Sequence, residues 1–125
     1  MTQVIGPEQM DLLVSAVRDG KIVAFPTETV YGVACLFDDL KGLDRIMEIK
    51  KRNPNKAVTL MLSEKDDVKK YGLVDEGTQR VIDKFMPGRM TIVLKRLDSV
   101  DSRHVSGKDT IGIRIPDSSF VLSLI

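Results

Sequence analysis

Short apolar runs of four or five residues alternate with amphipathic stretches of about ten, and prolines, glycines or polar turns stop most of them. Runs that short are too brief for helices, so they predict buried strands, and the stretches between them predict helices that cover a sheet. Ile22-Val23-Ala24-Phe25 is such a run, and Pro26 stops it because proline cannot donate to a sheet ladder. A polar turn leads into a second strand-like run, Val30 to Phe37. Further strands are expected at Val58 to Leu62, Met90 to Leu94 and Ile111 to Ile115, the last closed by Pro116.

The helices follow from spacing and punctuation. Gly6-Pro7 predicts a start, Met10, Leu13, Val14 and Val17 one apolar face, and Gly20 the stop. Asp38 or Asp39 is placed to cap a second helix with Leu40, Leu43, Ile46 and Met47 inward, running to Lys50. Ser63 and Asp66 have the spacing of a capping box for a short helix ending near Gly72. A further helix is expected from about Asp75 to Met86, with Thr78, Val81, Ile82 and Phe85 on one side, ended by Pro87-Gly88. Leu97 to Asp109 is polar and reads as a loop, and SSFVLSLI as the first turns of a last helix. The class is α/β, with a twisted mixed sheet and flanking helices, because the crossings are not all long enough to force parallel pairing.

Bulk properties narrow the functions. The 125 residues suggest one domain, and 42% apolar with 30% charged residues is a globular balance. No apolar run approaches the ~20 residues that span a bilayer, and the N-terminus lacks a signal-peptide pattern, so the expectation is a cytoplasmic protein with no membrane partner. One cysteine, Cys35, and one histidine, His104, cannot make an ordinary zinc site. Cys35 sits in an apolar run and reads as core; His104 sits in a charged loop and reads as solvated. The net charge of +1 gives no global pull toward nucleic acid, so any cationic function is local. No phosphate-binding P-loop, dinucleotide glycine fingerprint or nucleophile elbow is present.

Three places carry polar chemistry. Thr27, Glu28 and Thr29 follow a buried strand directly, where ligands of α/β proteins gather; their hydroxyls can hold a small polar ligand or simply bond their own turn. Lys50, Lys51, Arg52 and Lys56 put four cations and no acid at a helix C-terminus. The helix dipole alone favours that, and so does a phosphate clamp. Arg114 lies inside an apolar strand and needs a partner, either a structural carboxylate or the carboxylate of a bound amino acid.

These stretches occur in the order of the YrdC-like family. The chain resembles it in FPTETVYG (Phe25 to Gly32), in Lys50-Lys51-Arg52, in Pro87-Gly88-Arg89-Met90-Thr91 and in Thr110-Ile-Gly-Ile-Arg114-Ile-Pro116. Asn53 stands where the family often has proline, and Lys56-Ala57-Val58 where it often has Lys/Asn-Pro-Leu. The family domain continues beyond Ile125 with an S-x-N motif, so residues 1–125 are expected to form its N-terminal two-thirds as a single unit.

The resemblance implies a nucleotidyltransferase, L-threonylcarbamoyladenylate synthase. L-threonine and bicarbonate form a carbamate that attacks the α-phosphate of ATP, and the adenylate feeds a tRNA modification. By resemblance, Thr29 contacts L-threonine with Thr27 close by, and Arg114 pairs with its carboxylate. Arg52 and Lys56 hold ATP phosphates, Lys50 shares that cationic and catalytic role with Arg52, and Thr110 faces the nucleotide. Mg²⁺ accompanies the triphosphate. Implied partners are tRNA or double-stranded RNA and the proteins that transfer the threonylcarbamoyl group. The alternatives are a non-catalytic YciO-type paralogue that binds nucleotide or RNA, and a structural remnant.

Overall fold

The computed structural model describes residues 2–28, 30–51 and 57–125. Two small sheets carry the fold. Strands β1 (Val23–Pro26) and β2 (Tyr31–Ala34) form an antiparallel hairpin in which Pro26 pairs with Tyr31. Strands β3 (Leu60–Met61), β4 (Ile92–Lys95) and β5 (Thr110–Arg114) form the second sheet, with β5 central. β3 runs parallel to β5 and β4 antiparallel, so this sheet is mixed, as the crossing lengths predict.

The period of β5 sorts its residues between two faces. Ile111 and Ile113 are buried with Ile115, while Thr110, Gly112 and Arg114 point the other way. The isoleucine face packs against Leu62 and Leu94, against Ile82 and Met86 from the end of α3 (Glu76–Phe85), and against Val68, Val100 and Val105. A second, smaller cluster joins Val23 and Phe25 of β1 to Leu13 of α1 (Met10–Arg18) and Val121 of α4 (Ser119–Leu124). Met61 packs on this second cluster, so β3 contributes to both.

The helix ends are fixed by local chemistry. After α1 the chain turns at Gly20, φ +82°, with Gly20 N–H donating to Val17 O and Lys21 N–H to Ala16 O, both at 3.0 Å. That pair of bonds needs a left-handed residue, which glycine adopts without strain. Asp39 caps α2 (Leu40–Ile49) by accepting from Gly42 N–H at 2.9 Å, and Asp75 caps α3 by accepting from Thr78 N–H at 2.7 Å. Among the described residues no helix is long and apolar enough to cross a membrane.

Four expectations are corrected. Gly6-Pro7 form a turn, closed by Gln9 N–H to Gly6 O at 3.0 Å, and α1 starts only at Met10. Ser63 and Asp66 make no capping box: the segment is a 3-10 helix, Lys65–Lys70, whose cap position is Glu64 without a side-chain bond. Phe85 is half exposed, because the backbone becomes extended at Met86 and turns that side chain inward instead. His104 is not solvated; it stacks on Phe37 with ring centroids 4.6 Å apart, and Phe37 meets Tyr71 edge-on at 5.4 Å. The polar loop also contains a 3-10 turn, Ser102–Val105, anchored by buried Val105.

Ile82→Ala removes side-chain volume from a site with no exposure and is expected to cost about 2–5 kcal/mol. Val93→Ala, on a strand face where the valine is 65% exposed, should stay within about 0.5 kcal/mol. Urea unfolding of the two variants measures the contrast; equal losses would mean the core does not lie on the isoleucine face of β5.

Candidate functional site

Arg114 is where three separated stretches meet. Its Nη2 donates to Glu28 Oε1 in the turn between β1 and β2, and its Nε donates to Gly88 O at 3.2 Å. Gly88 in turn donates to Ile115 O at 2.9 Å. A Cβ on Gly88 would lie 2.7 Å from Phe85 O, so only glycine fits that corner. The arginine and glutamate side chains are 14% and 16% exposed, so the ion pair is largely desolvated.

Burial pushes the Glu28 carboxyl upward, but its own backbone amide, the Arg114 hydrogen bond and charge, and the Asp117 amide together pull it below the ordinary 4.5. Glu28 is therefore an anion at neutral pH and holds Arg114 by charge as well as by hydrogen bonding. Its Oε2 is sealed from solvent, and no hydrogen bond of full geometry reaches it among the described residues.

The other expected residues separate into those this junction gathers and those it does not. Thr27 is half-buried in the same turn; its hydroxyl accepts from Val30 N–H at 3.2 Å and donates to Val30 O. The hydroxyl thus takes the turn-bonding role that a threonine in such a turn favours. Thr110 lies on the same face of β5 as Arg114 but at its far end, opposite Lys95, about 13 Å away at the usual strand rise. Lys50 caps the C-terminus of α2 and is exposed, and Lys51 follows in the left-handed region at φ +49°. Among the described residues no ion pair or hydrogen bond links Lys50 to Arg114 or Thr110. Thr29, Arg52 and Lys56 lie outside the described residues.

Two features of the site are absent from the sequence reading. Glu28 as the acid opposite Arg114 is one; the need for an acid is visible in the strand, its identity is not. The other is a hydroxyl-bearing shelf: Gly112 lies between Thr91 and Thr59, whose Cγ2 and Oγ1 would be 3.4 and 3.9 Å from a Cβ there. Cys35 is half-buried, and burial followed by the charge of Asp39 raises its thiol to about 11, so it is no nucleophile at neutral pH.

The lowered Glu28 value fixes a sign. Stability from this group is complete above the unfolded value near 4.5 and is lost as pH falls through the lower folded value. The gap in unfolding free energy between wild type and Glu28→Gln should therefore narrow from about pH 6 to about pH 3. Urea titrations at several pH values measure it, and a gap that stays constant would show that the carboxylate charge is not what holds the pair.

Comparisons with known proteins bear on the family and the fold. The profile of the Sua5/YciO/YrdC family, described as "Telomere recombination", matches residues 15–125. A protein of Methanocaldococcus jannaschii named putative threonylcarbamoyl-AMP synthase is 34% identical over 115 residues, which is 92% of this chain and 55% of that one. Sua5 of Pyrococcus abyssi, solved in complex with L-threonine, superposes with a TM-score of 0.87 at 29% identity, covering 98% of this chain and 36% of that one. YciO of Escherichia coli superposes at 0.89 with 26% identity, covering 99% and 64%. The chain spans about half the length of the first two curated relatives it matches. On the match over residues 15–125 and the 34% identity, the chain belongs to the Sua5/YciO/YrdC family.

Proposed function

We propose that this chain forms part of an L-threonylcarbamoyladenylate synthase. The observation that carries the reading is the junction at Arg114, which joins the turn of FPTETVYG, the Pro87-Gly88 corner and the strand of Thr110 to Arg114 at one point. The similarity to a protein named as that synthase, and to a structure solved with L-threonine, supports it.

In this reading Arg114 receives the α-carboxylate of L-threonine. Two of its five N–H groups are engaged by Glu28 and Gly88, which leaves donors for an incoming acid. Thr27 and Thr29 flank Glu28 in the sequence and would contact the amino acid. The threonine amine adds to the carbon of bicarbonate with loss of water, giving a carbamate. A carbamate oxygen then attacks the α-phosphorus of ATP, and the bond to the β-phosphate oxygen breaks to release pyrophosphate. Arg52, Lys56 and Lys50 would stabilise charge on the phosphate oxygens during that step, and Thr110 would face the nucleotide. Mg²⁺ would arrive with the triphosphate, whose oxygens it favours as ligands. The adenylate would then pass to proteins that modify tRNA in the cytoplasm.

A second reading is a YciO-type paralogue that binds nucleotide or structured RNA without turnover; the chain superposes on YciO with a TM-score of 0.89, the same as on a Sua5 structure of Pyrococcus abyssi. Pyrophosphate release separates the two. The synthase reading expects release that needs both L-threonine and bicarbonate and falls by at least about 100-fold in Arg52→Ala, about 2.7 kcal/mol of transition-state stabilisation. No release, together with salt-sensitive RNA binding that survives Arg114→Ala, would replace it with the paralogue reading.

A further inference from the structure

We propose that Glu28 determines the specificity of the Arg114 subsite, making it accept the zwitterion of an amino acid and reject a simple carboxylate or phosphate. The proposal rests on the reading above that Arg114 receives the carboxylate of L-threonine. A lone arginine in a concave site binds any anion, and a substrate set containing a triphosphate supplies a strong competitor. Arg114 is not alone. Glu28 lies in direct contact with it, both side chains are largely buried, and the pair has no net charge.

An anion approaching such a pair meets attraction and repulsion together at short range, in a medium where neither is well screened. An amino acid brings an ammonium beside its carboxylate and matches both charges. Glu28 also has an acceptor to spare: Oε1 takes the arginine, while Oε2 is buried with no hydrogen bond of full geometry among the described residues. The Glu28 and Asp117 amides act on the same carboxylate, and a ligand N–H that reaches Oε2 as the turn adjusts would add a full hydrogen bond. The carbamate formed from the amine still carries one N–H, so the same oxygen can follow the nitrogen into the next intermediate.

The Gly88 carbonyl makes the arrangement directional. It holds Nε from another corner of the chain, so Arg114 has two fixed contacts and cannot swing away from Glu28 to meet an anion elsewhere. Selectivity is thus built into a preorganised pair rather than into a pocket wall.

The experiment compares binding of L-threonine and 3-hydroxybutanoate, which keeps the carboxylate and hydroxyl but lacks the ammonium. Isothermal titration of the folded chain and of Glu28→Gln gives both affinities. Wild type is expected to prefer L-threonine by at least about 100-fold. Glu28→Gln should lose about tenfold or more of that preference, mainly by binding 3-hydroxybutanoate more tightly. A purely structural role for Glu28 would weaken both ligands in parallel and leave their ratio intact, which overturns the proposal. Wild type alone decides if the variant does not fold: equal affinity for the two ligands also overturns it. In both of those outcomes L-threonine still binds and the functional reading stands, whereas no binding of L-threonine to folded wild type removes the reading and the proposal together.

Discussion

The ion pair between Glu28 and Arg114 ties together parts that the backbone does not. Among the described residues the β1–β2 hairpin and the three-stranded sheet share no strand pairing, and Met61, the small apolar cluster and this pair connect them. Each charge depends on the other where it lies. Burial disfavours the charged form of Glu28, whose side chain is 16% exposed, and an arginine inside an apolar strand without an acceptor would cost several kcal/mol. Such pairs add little net stability over well-packed apolar side chains, since desolvation offsets attraction. What the pair supplies is position: it sets where the FPTETVYG turn lies relative to β5, and the Gly88 carbonyl fixes the guanidinium in the same place.

The division of β5 into two faces gives that position its use. Ile111 and Ile113 spend their whole surface on the main core, so the opposite face is left to Thr110, Gly112 and Arg114, flanked by Thr59 and Thr91. A strand buried on both faces would have had no room for polar groups. Here the core on one side makes the strand rigid, and the hydroxyls and the charge stand on the other. The terminal helix α4 contributes through Val121, which has no exposure and closes the small cluster under β1. The turn carrying Glu28 is therefore held at its base by apolar packing and at its tip by the ion pair.

Much of this was legible in the chain because it depends on short-range rules. The alternation Ile111, Ile113, Ile115 shows a strand and its inner face, Pro26 marks a strand end, and the Asp38-Asp39 pair and Asp75 mark helix starts, with Asp39 the one that caps. What was not legible depends on residues far apart in sequence. His104 stands among charged neighbours that argue for solvent, yet Phe37 arrives from elsewhere to stack on it and is itself met edge-on by Tyr71. Phe85 keeps helical spacing with Ile82, but the helix ends there and Met86 takes the inward place. In the site the same limit applies. That Arg114 needs an acid follows from local polarity, but that the acid is Glu28, and that a carbonyl at Gly88 shares the guanidinium, follows only from the tertiary turn.

The two kinds of cation in the chain are set up differently, and the difference is physical. Lys50 and Lys51 are exposed at the end of a helix, without an ion-pair partner among the described residues, and the negative end of the helix dipole favours their positive charge there. Arg114 is only 14% exposed, compensated by Glu28 and pinned by a carbonyl. Uncompensated, mobile ammonium groups suit a polyanion, whose charge is diffuse and whose oxygens can be met in several geometries. A compensated, fixed guanidinium suits a ligand whose own charges are balanced and closely spaced, because only such a ligand gains from both members of the pair. In the synthase reading proposed above, an arginine without its acid would attract the same phosphates as the lysines, and the amino acid would compete with the nucleotide for one subsite. Charge compensation of Arg114 by Glu28 is what would keep the two apart in that reading.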